Sequence, residues 1–178
     1  MKNQIILLLT AFIAFTSITH AQKEPFEERL YDCLKASFDD NGAALDKEIL
    51  SYETVFVKLN NMSDASGKSY KILFEKMASD SKFKLLFPEN SIAQIIEDIK
   101  PNETKLEGCE PTKQENDVLE SKELRLFFMN LSETEKANLY KEIASKALQN
   151  FTAQELDYRM YKLMILLELS NANEYLTK

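Results

Sequence analysis

Histidine, tryptophan, glycine and proline are scarce in this chain of 178 residues, and each scarcity removes a class of chemistry. The only histidine, His20, lies inside an apolar N-terminal segment, so the sequence beyond that segment has none. With that segment cleaved as expected no imidazole remains, which excludes a Ser-His-Asp or Cys-His nucleophile, histidine-ligated zinc and a helical HExxH site. The three glycines, Gly42, Gly67 and Gly108, stand far apart. That spacing excludes the phosphate-cradling loop and the dinucleotide fingerprint, both of which need clustered glycines for close backbone approach. Tryptophan is absent, and with it the usual platform for stacking a sugar ring. Carboxylate chemistry survives, since Asp and Glu alone can act as acid and base in glycoside hydrolysis. Nothing in the spacing of the 29 acidic residues selects a pair, and a solvated acidic face accounts for them.

Long apolar runs are also lacking, apart from the start. Lys2, the stretch from Ile5 to Ile18 and the Thr19-His20-Ala21 site have the pattern of a secretory signal at residues 1–21. The expected mature chain begins at Gln22. The apolar stretch is broken by Thr10, Thr16 and Ser17 and is shorter than the ~18 uninterrupted residues that suggest a span. No cysteine follows it to carry a lipid. The expected product is exported, periplasmic or secreted, without stable membrane insertion. Loss of Lys2 leaves 21 basic against 29 acidic side chains, a net charge of -8. Such a surface argues against nucleic acid, whose binding rests on counterion release by a basic face, and it keeps the protein in solution. Residues 22–178 are enough for one domain with a sizeable core.

The three glycines and four prolines all sit where apolar periodicity breaks, which is the punctuation of a helical protein. Four capping boxes agree: Ser91 with Gln94, Thr112 with Glu115, Ser132 with Glu135, and Thr152 with Glu155. Helices are expected from about Pro25 to Phe38, from Ala43 to Leu59 and around Tyr70 to Met77, with a short one at Phe83 to Phe87. Further helices should start at Ser91, Thr112, Ser132 and Thr152. The last carries only Lys162 and Glu168 as charges between Met160 and Leu169 and should run through the centre. The expected fold is all-α, an irregular bundle or short two-layer helical array of seven to eight helices. At an offset of 41, Phe83–Phe87 echoes Leu124–Phe128, and Ser91/Gln94 echoes Ser132/Glu135. Lacking a third copy, the echo reads as two unrelated amphipathic helices.

Cysteine occurs twice, as Cys33 and Cys109. Export puts the pair where disulfides persist, so a structural bridge is expected. The turn after the first helix offers the one patterned ligand set. With Ser37 at position one, Asp39 falls at three, Asn41 at five, Gly42 at six and Glu48 at twelve of an EF-hand-like calcium loop. Ser37 and Leu45 are poor ligands, and a plain helix-turn-helix capped at Asn41-Gly42 explains the same residues. Asn61, Asn102, Asn130 and Asn150 begin glycosylation sequons, which matter only in a glycosylating cell. Phe127-Phe128-Met129 and Tyr158-Met160-Tyr161-Met164 could line an apolar cavity, with core packing as the default. The function read from all this is a non-catalytic exported module that binds a protein partner or a small apolar ligand. The alternative is a calcium-binding module at residues 37–48, and the third is a carboxylate-only hydrolase.

Overall fold

Apolar side chains three and four apart bury one face of a helix each time a cap opens one, and this pattern organises the chain. The computed structural model describes residues 25–80, 83–99, 111–121 and 133–177. Among the described residues every regular element is helical. The helices are α1 (Phe26–Ala36), α2 (Ala43–Leu59), α3 (Gly67–Ser79), α4 (Ile92–Ile99), α5 (Lys113–Ser121), α6 (Glu133–Asn150) and α7 (Arg159–Thr177). A 3-10 turn at Glu155–Asp157 precedes α7. The all-α expectation holds, with seven α-helices among the described residues.

The turn between α1 and α2 is made by two left-handed residues, Asn41 at φ 55° and Gly42 at φ 76°. A Cβ on Gly42 would come within 2.5 Å of Lys35 Cβ, so a side chain is excluded there by both conformation and space. The Asp40 carboxylate accepts from Gly42 N at 3.0 Å and Ala44 N at 2.7 Å, satisfying free amides at the start of α2. At the start of α3, Ser66 is the N-cap and accepts from Ser69 N at 3.3 Å. Hydrogen bonds from the Ser66 and Ser69 hydroxyls lower the nearby Asp64 carboxyl to about 2.

Two helix expectations are corrected. Phe83–Phe87 forms no helix and no other regular element. Asn60 clamps the segment, donating from Nδ2 to Leu86 O at 2.8 Å and accepting from Leu86 N at 3.0 Å. These bonds satisfy the Leu86 peptide groups and leave Leu85 buried and Leu86 49% exposed. The helical echo therefore loses its first member, and Leu124–Phe128 lies outside the described residues. The Thr152/Glu155 box closes as expected, at 2.7 and 3.2 Å, but it caps only the 3-10 turn. Tyr158 then turns extended, and α7 starts at Arg159, whose amide donates to Glu28 Oε1 of α1 at 3.1 Å. The opening of α7 is thus capped from another helix.

The other boxes vary. Thr112/Glu115 closes at 2.7 and 3.3 Å, and Arg29 of α1 also reaches Glu115 at 2.7 Å. Ser91 accepts from Gln94 N at 3.1 Å, while the Gln94 side chain turns to Asp98. Ser132 lies outside the described residues.

α7 takes the central place expected of it. Tyr161, Leu163, Ile165, Leu166, Leu169 and Ala172 are all buried, and the helix packs against α1, α4, α6 and the 3-10 turn. α3 makes its broadest contact with α6. From α2 to α3 runs a row of rings, with centroids 6.5 Å apart for Tyr52 and Phe56, 6.4 Å for Phe56 and Tyr70, and 6.2 Å for Tyr70 and Phe74. Tyr161 is buried, and Tyr158, Met160 and Met164 pack partly buried against the same core, as the default reading expects. Phe127–Met129 lies outside the described residues.

Candidate functional site

Two concavities flank α2. The first is a cavity of about 570 Å³ where α1, α2, the Ala65 loop and the start of α7 meet. Helical spacing places Asp46, Ile49, Leu50 and Glu53 on one stripe of α2, and all four line it. Tyr31, Ala65, Asp157, Arg159 and Lys162 complete the wall with Lys47.

Its charges are ordered by tyrosines. At the rim, Tyr31 Oη of α1 donates to Asp46 Oδ1 at 2.8 Å. Lys35 Nζ lies 2.6 Å from Asp46 Oδ2, and the Arg159 guanidinium 3.1 Å from Oδ1. Burial by itself would raise the Asp46 carboxyl, but hydrogen bonds from Lys35 and Tyr31, with the charges of Lys35 and Arg159, hold it below its ordinary value. Deeper in, Tyr70 Oη donates to Glu53 Oε1 at 2.9 Å. Lys162 Nζ stands 3.6 Å from the same oxygen and donates to Ala65 O at 2.6 Å. Burial, then the Glu53 charge, pushes the Tyr70 hydroxyl well above its ordinary value. A third pair lies in the neighbouring core, where Tyr161 Oη donates to Glu27 Oε1 at 2.8 Å. These three bonds tie α1 to α2, α3 to α2 and α7 to α1.

The arrangement bears on the hydrolase reading, because Asp46, Glu53 and Asp157 share one cavity. A general acid needs a carboxyl held protonated near neutral pH. Asp46 is shifted the other way, and both of its oxygens are occupied by cations. Asp46 is therefore unsuited to that role.

The second concavity is a groove of about 480 Å³ between α2 and α4, walled by the segment that precedes α4. Val55, Leu59, Phe87, Pro88 and Ile95 give it an apolar floor, and Glu48 and Glu89 stand in its lining as acidic groups. Val55 is 42% exposed.

Of the twelve positions 37–48 of the turn, six are already helical, because α2 begins at Ala43. Ser37 is buried, and its hydroxyl donates to Leu34 O at 2.6 Å. Asp39 and Asn41 are exposed, and it is Asp40 whose carboxylate organises the turn. Glu48 lines the groove, 4.0 Å from Lys47. Among the described residues no group of three or more His, Cys, Asp or Glu is placed to hold a metal ion. Cys33 is half-buried on α1, and Cys109 lies outside the described residues. Asn61 is an exposed left-handed residue, Asn150 ends α6, and Asn102 and Asn130 lie outside the described residues.

Sequence reasoning missed the tyrosine-carboxylate pairs. Their partners are 15, 17 and 134 residues apart, and no local spacing signals them. Comparison of the chain with protein-family models, curated proteins and solved structures gives no match to any of them.

Proposed function

We propose that this chain is a non-catalytic, exported helical module that binds a protein partner in the groove between α2 and α4. The observation that carries the reading is the row of apolar side chains at Val55, Leu59, Phe87 and Ile95, open to solvent along one side. A small apolar ligand is better served by an enclosed cavity that covers most of its surface. A protein partner can lay an amphipathic helix along an open groove of this kind, with apolar anchors entering at one helical face. The absence of histidine after residue 20 and the salt-bridged state of Asp46 support a binding role over a catalytic one. Export rests on the Lys2 to Ala21 pattern. No helix among the described residues is long and apolar enough to cross a membrane.

The test compares wild type with Val55→Glu in cross-linking pull-downs from the native envelope fraction and culture medium. Val55 is partly exposed, so the charge should leave the helical circular dichroism unchanged. A partner captured by the wild type and lost in Val55→Glu is the expected outcome. Equal capture by both proteins, or none by either, would refute the reading. Intact mass of the exported protein should correspond to a start at Gln22.

A further inference from the structure

We propose that the cavity between α1, α2 and the start of α7 is a separate binding site for a small apolar zwitterion, a free amino acid or a short peptide. Asp46, Glu53 and Asp157 line it together with Lys47, Arg159 and Lys162, three charges of each sign. Such a lining gives no net preference to a simple anion or a simple cation. A molecule carrying both charges can offer a partner to each set at once, which a simple anion or a simple cation cannot.

The polar groups also have unused capacity. An ammonium carries three donors. Lys162 is only 16% exposed, yet among the described residues its Nζ spends one hydrogen bond, on Ala65 O, with Glu53 Oε1 at 3.6 Å. Arg159 has five donors, and its guanidinium contacts Asp46 through NH1. Glu53 accepts through Oε1 and Asp157 through Oδ1, which leaves one oxygen of each without a hydrogen bond among the described residues. No buried side-chain nitrogen or oxygen among the described residues is orphaned, so these open positions are reached by solvent rather than sealed in protein. Donors for a carboxylate and acceptors for an ammonium therefore share one wet cavity.

The apolar part of the ligand has a place as well. Ile49 and Leu50 share the α2 stripe with the acids, and Leu50 is 64% exposed, more than any other large apolar residue described. A volume of about 570 Å³ lies within the roughly 300–1,000 Å³ of small-molecule sites. That is room for a free amino acid or a dipeptide together with water.

Isothermal titration of the full mature chain with leucine, leucyl-leucine, N-acetylleucine and leucine amide tests the proposal. Leucine or leucyl-leucine should bind saturably, and the two capped compounds at least about ten-fold more weakly. Which of the first two binds tighter identifies the source as free amino acid or peptide. Arg159→Gln should weaken binding about ten-fold or more. Its side chain is 60% exposed, so the variant is expected to keep the wild-type melting curve. Lys162→Met serves as a second variant if its melt shows that it folds. Val55→Glu, in the other concavity, should bind the zwitterion as wild type does, so failure of the groove reading and failure of this one are separable. No saturable heat with either zwitterion, equal binding of the capped compounds, or an unchanged affinity in folded Arg159→Gln would overturn the proposal.

Discussion

Replacing Gly67 with alanine would put a methyl group 1.9 Å from the Ala153 carbonyl oxygen and 2.9 Å from Leu156 Cβ. Gly67 is the first residue of α3 and is buried against the 3-10 turn. Helix propensity alone points to stabilisation, since alanine is better than glycine by up to about 1 kcal/mol in a helix interior. Packing points the other way. The obstacle is backbone, so relief requires α3 or the segment before α7 to shift. That shift also stretches the 2.7 Å hydrogen bond from Gly67 N to Asp157 Oδ1. Overpacking costs about 1–3 kcal/mol, and a hydrogen bond to a charged acceptor contributes about 1.5–3 kcal/mol, part of which is lost. The expected net destabilisation is about 2–4 kcal/mol, or a fall in melting temperature of roughly 5–15 °C for a chain of this size. Urea and thermal melts followed by circular dichroism measure it. A Gly67→Ala protein that melts at or above the wild-type temperature would refute the close approach of α3 to Ala153.

Alkali should destabilise the protein in a graded way. Burial raises Tyr31, Tyr70 and Tyr161, each with help from a carboxylate acceptor, and burial pushes Tyr140 up to about 12. Above pH ~10 the unfolded chain releases these protons while the folded chain keeps them, so the stabilisation is complete below that pH and declines as pH rises through the raised values. The slope is about 1.4 kcal/mol per pH unit for each such tyrosine, and urea midpoints flat from pH 9 to 11.5 would contradict it. Calcium should bind the turn at residues 37–48 no more tightly than the millimolar range, with any specific heat lost in Glu48→Gln; micromolar affinity lost in that variant would promote the calcium-module reading. Oxidised protein should carry a Cys33–Cys109 bridge worth up to about 4–4.5 kcal/mol in the chain-entropy model, so reduction should lower the melting temperature. Alkylation of both thiols without reductant would exclude it. Phe56→Ala, at a fully buried ring in the aromatic row, should cost about 3–5 kcal/mol in the same melts.

How far each element could be read in advance depends on where its hydrogen bonds and burial come from. α2 runs over the expected span, Ala43 to Leu59, because its cap, its stripe and its glycine all lie within one stretch of chain. The two departures have the same origin. Phe83–Phe87 has helical composition, but Asn60, more than twenty residues earlier, satisfies the peptide groups of Leu86. Thr152 and Glu155 form their box, but Glu28 of α1 supplies the acceptor that lets α7 begin afresh at Arg159. Neither partner is visible within a window of the sequence.

The candidate sites divide the same way. Composition and spacing alone argued against glycine-loop and basic-surface chemistries, because dispersed glycines and an excess of acidic over basic residues persist in every fold. Helical period alone put Asp46, Ile49, Leu50 and Glu53 on one face of α2, since that spacing follows from backbone geometry. Whether the face would be core, bare surface or a cavity depended on what came to rest opposite. Tyr31, Tyr70, Lys162 and Arg159 arrive from three other helices, and their charge pairing exists only once α1, α3 and α7 have closed on α2. Local backbone preference and side-chain inventory belong to the sequence. Convergence of charged groups distant along the chain is decided by the packing that brings them together.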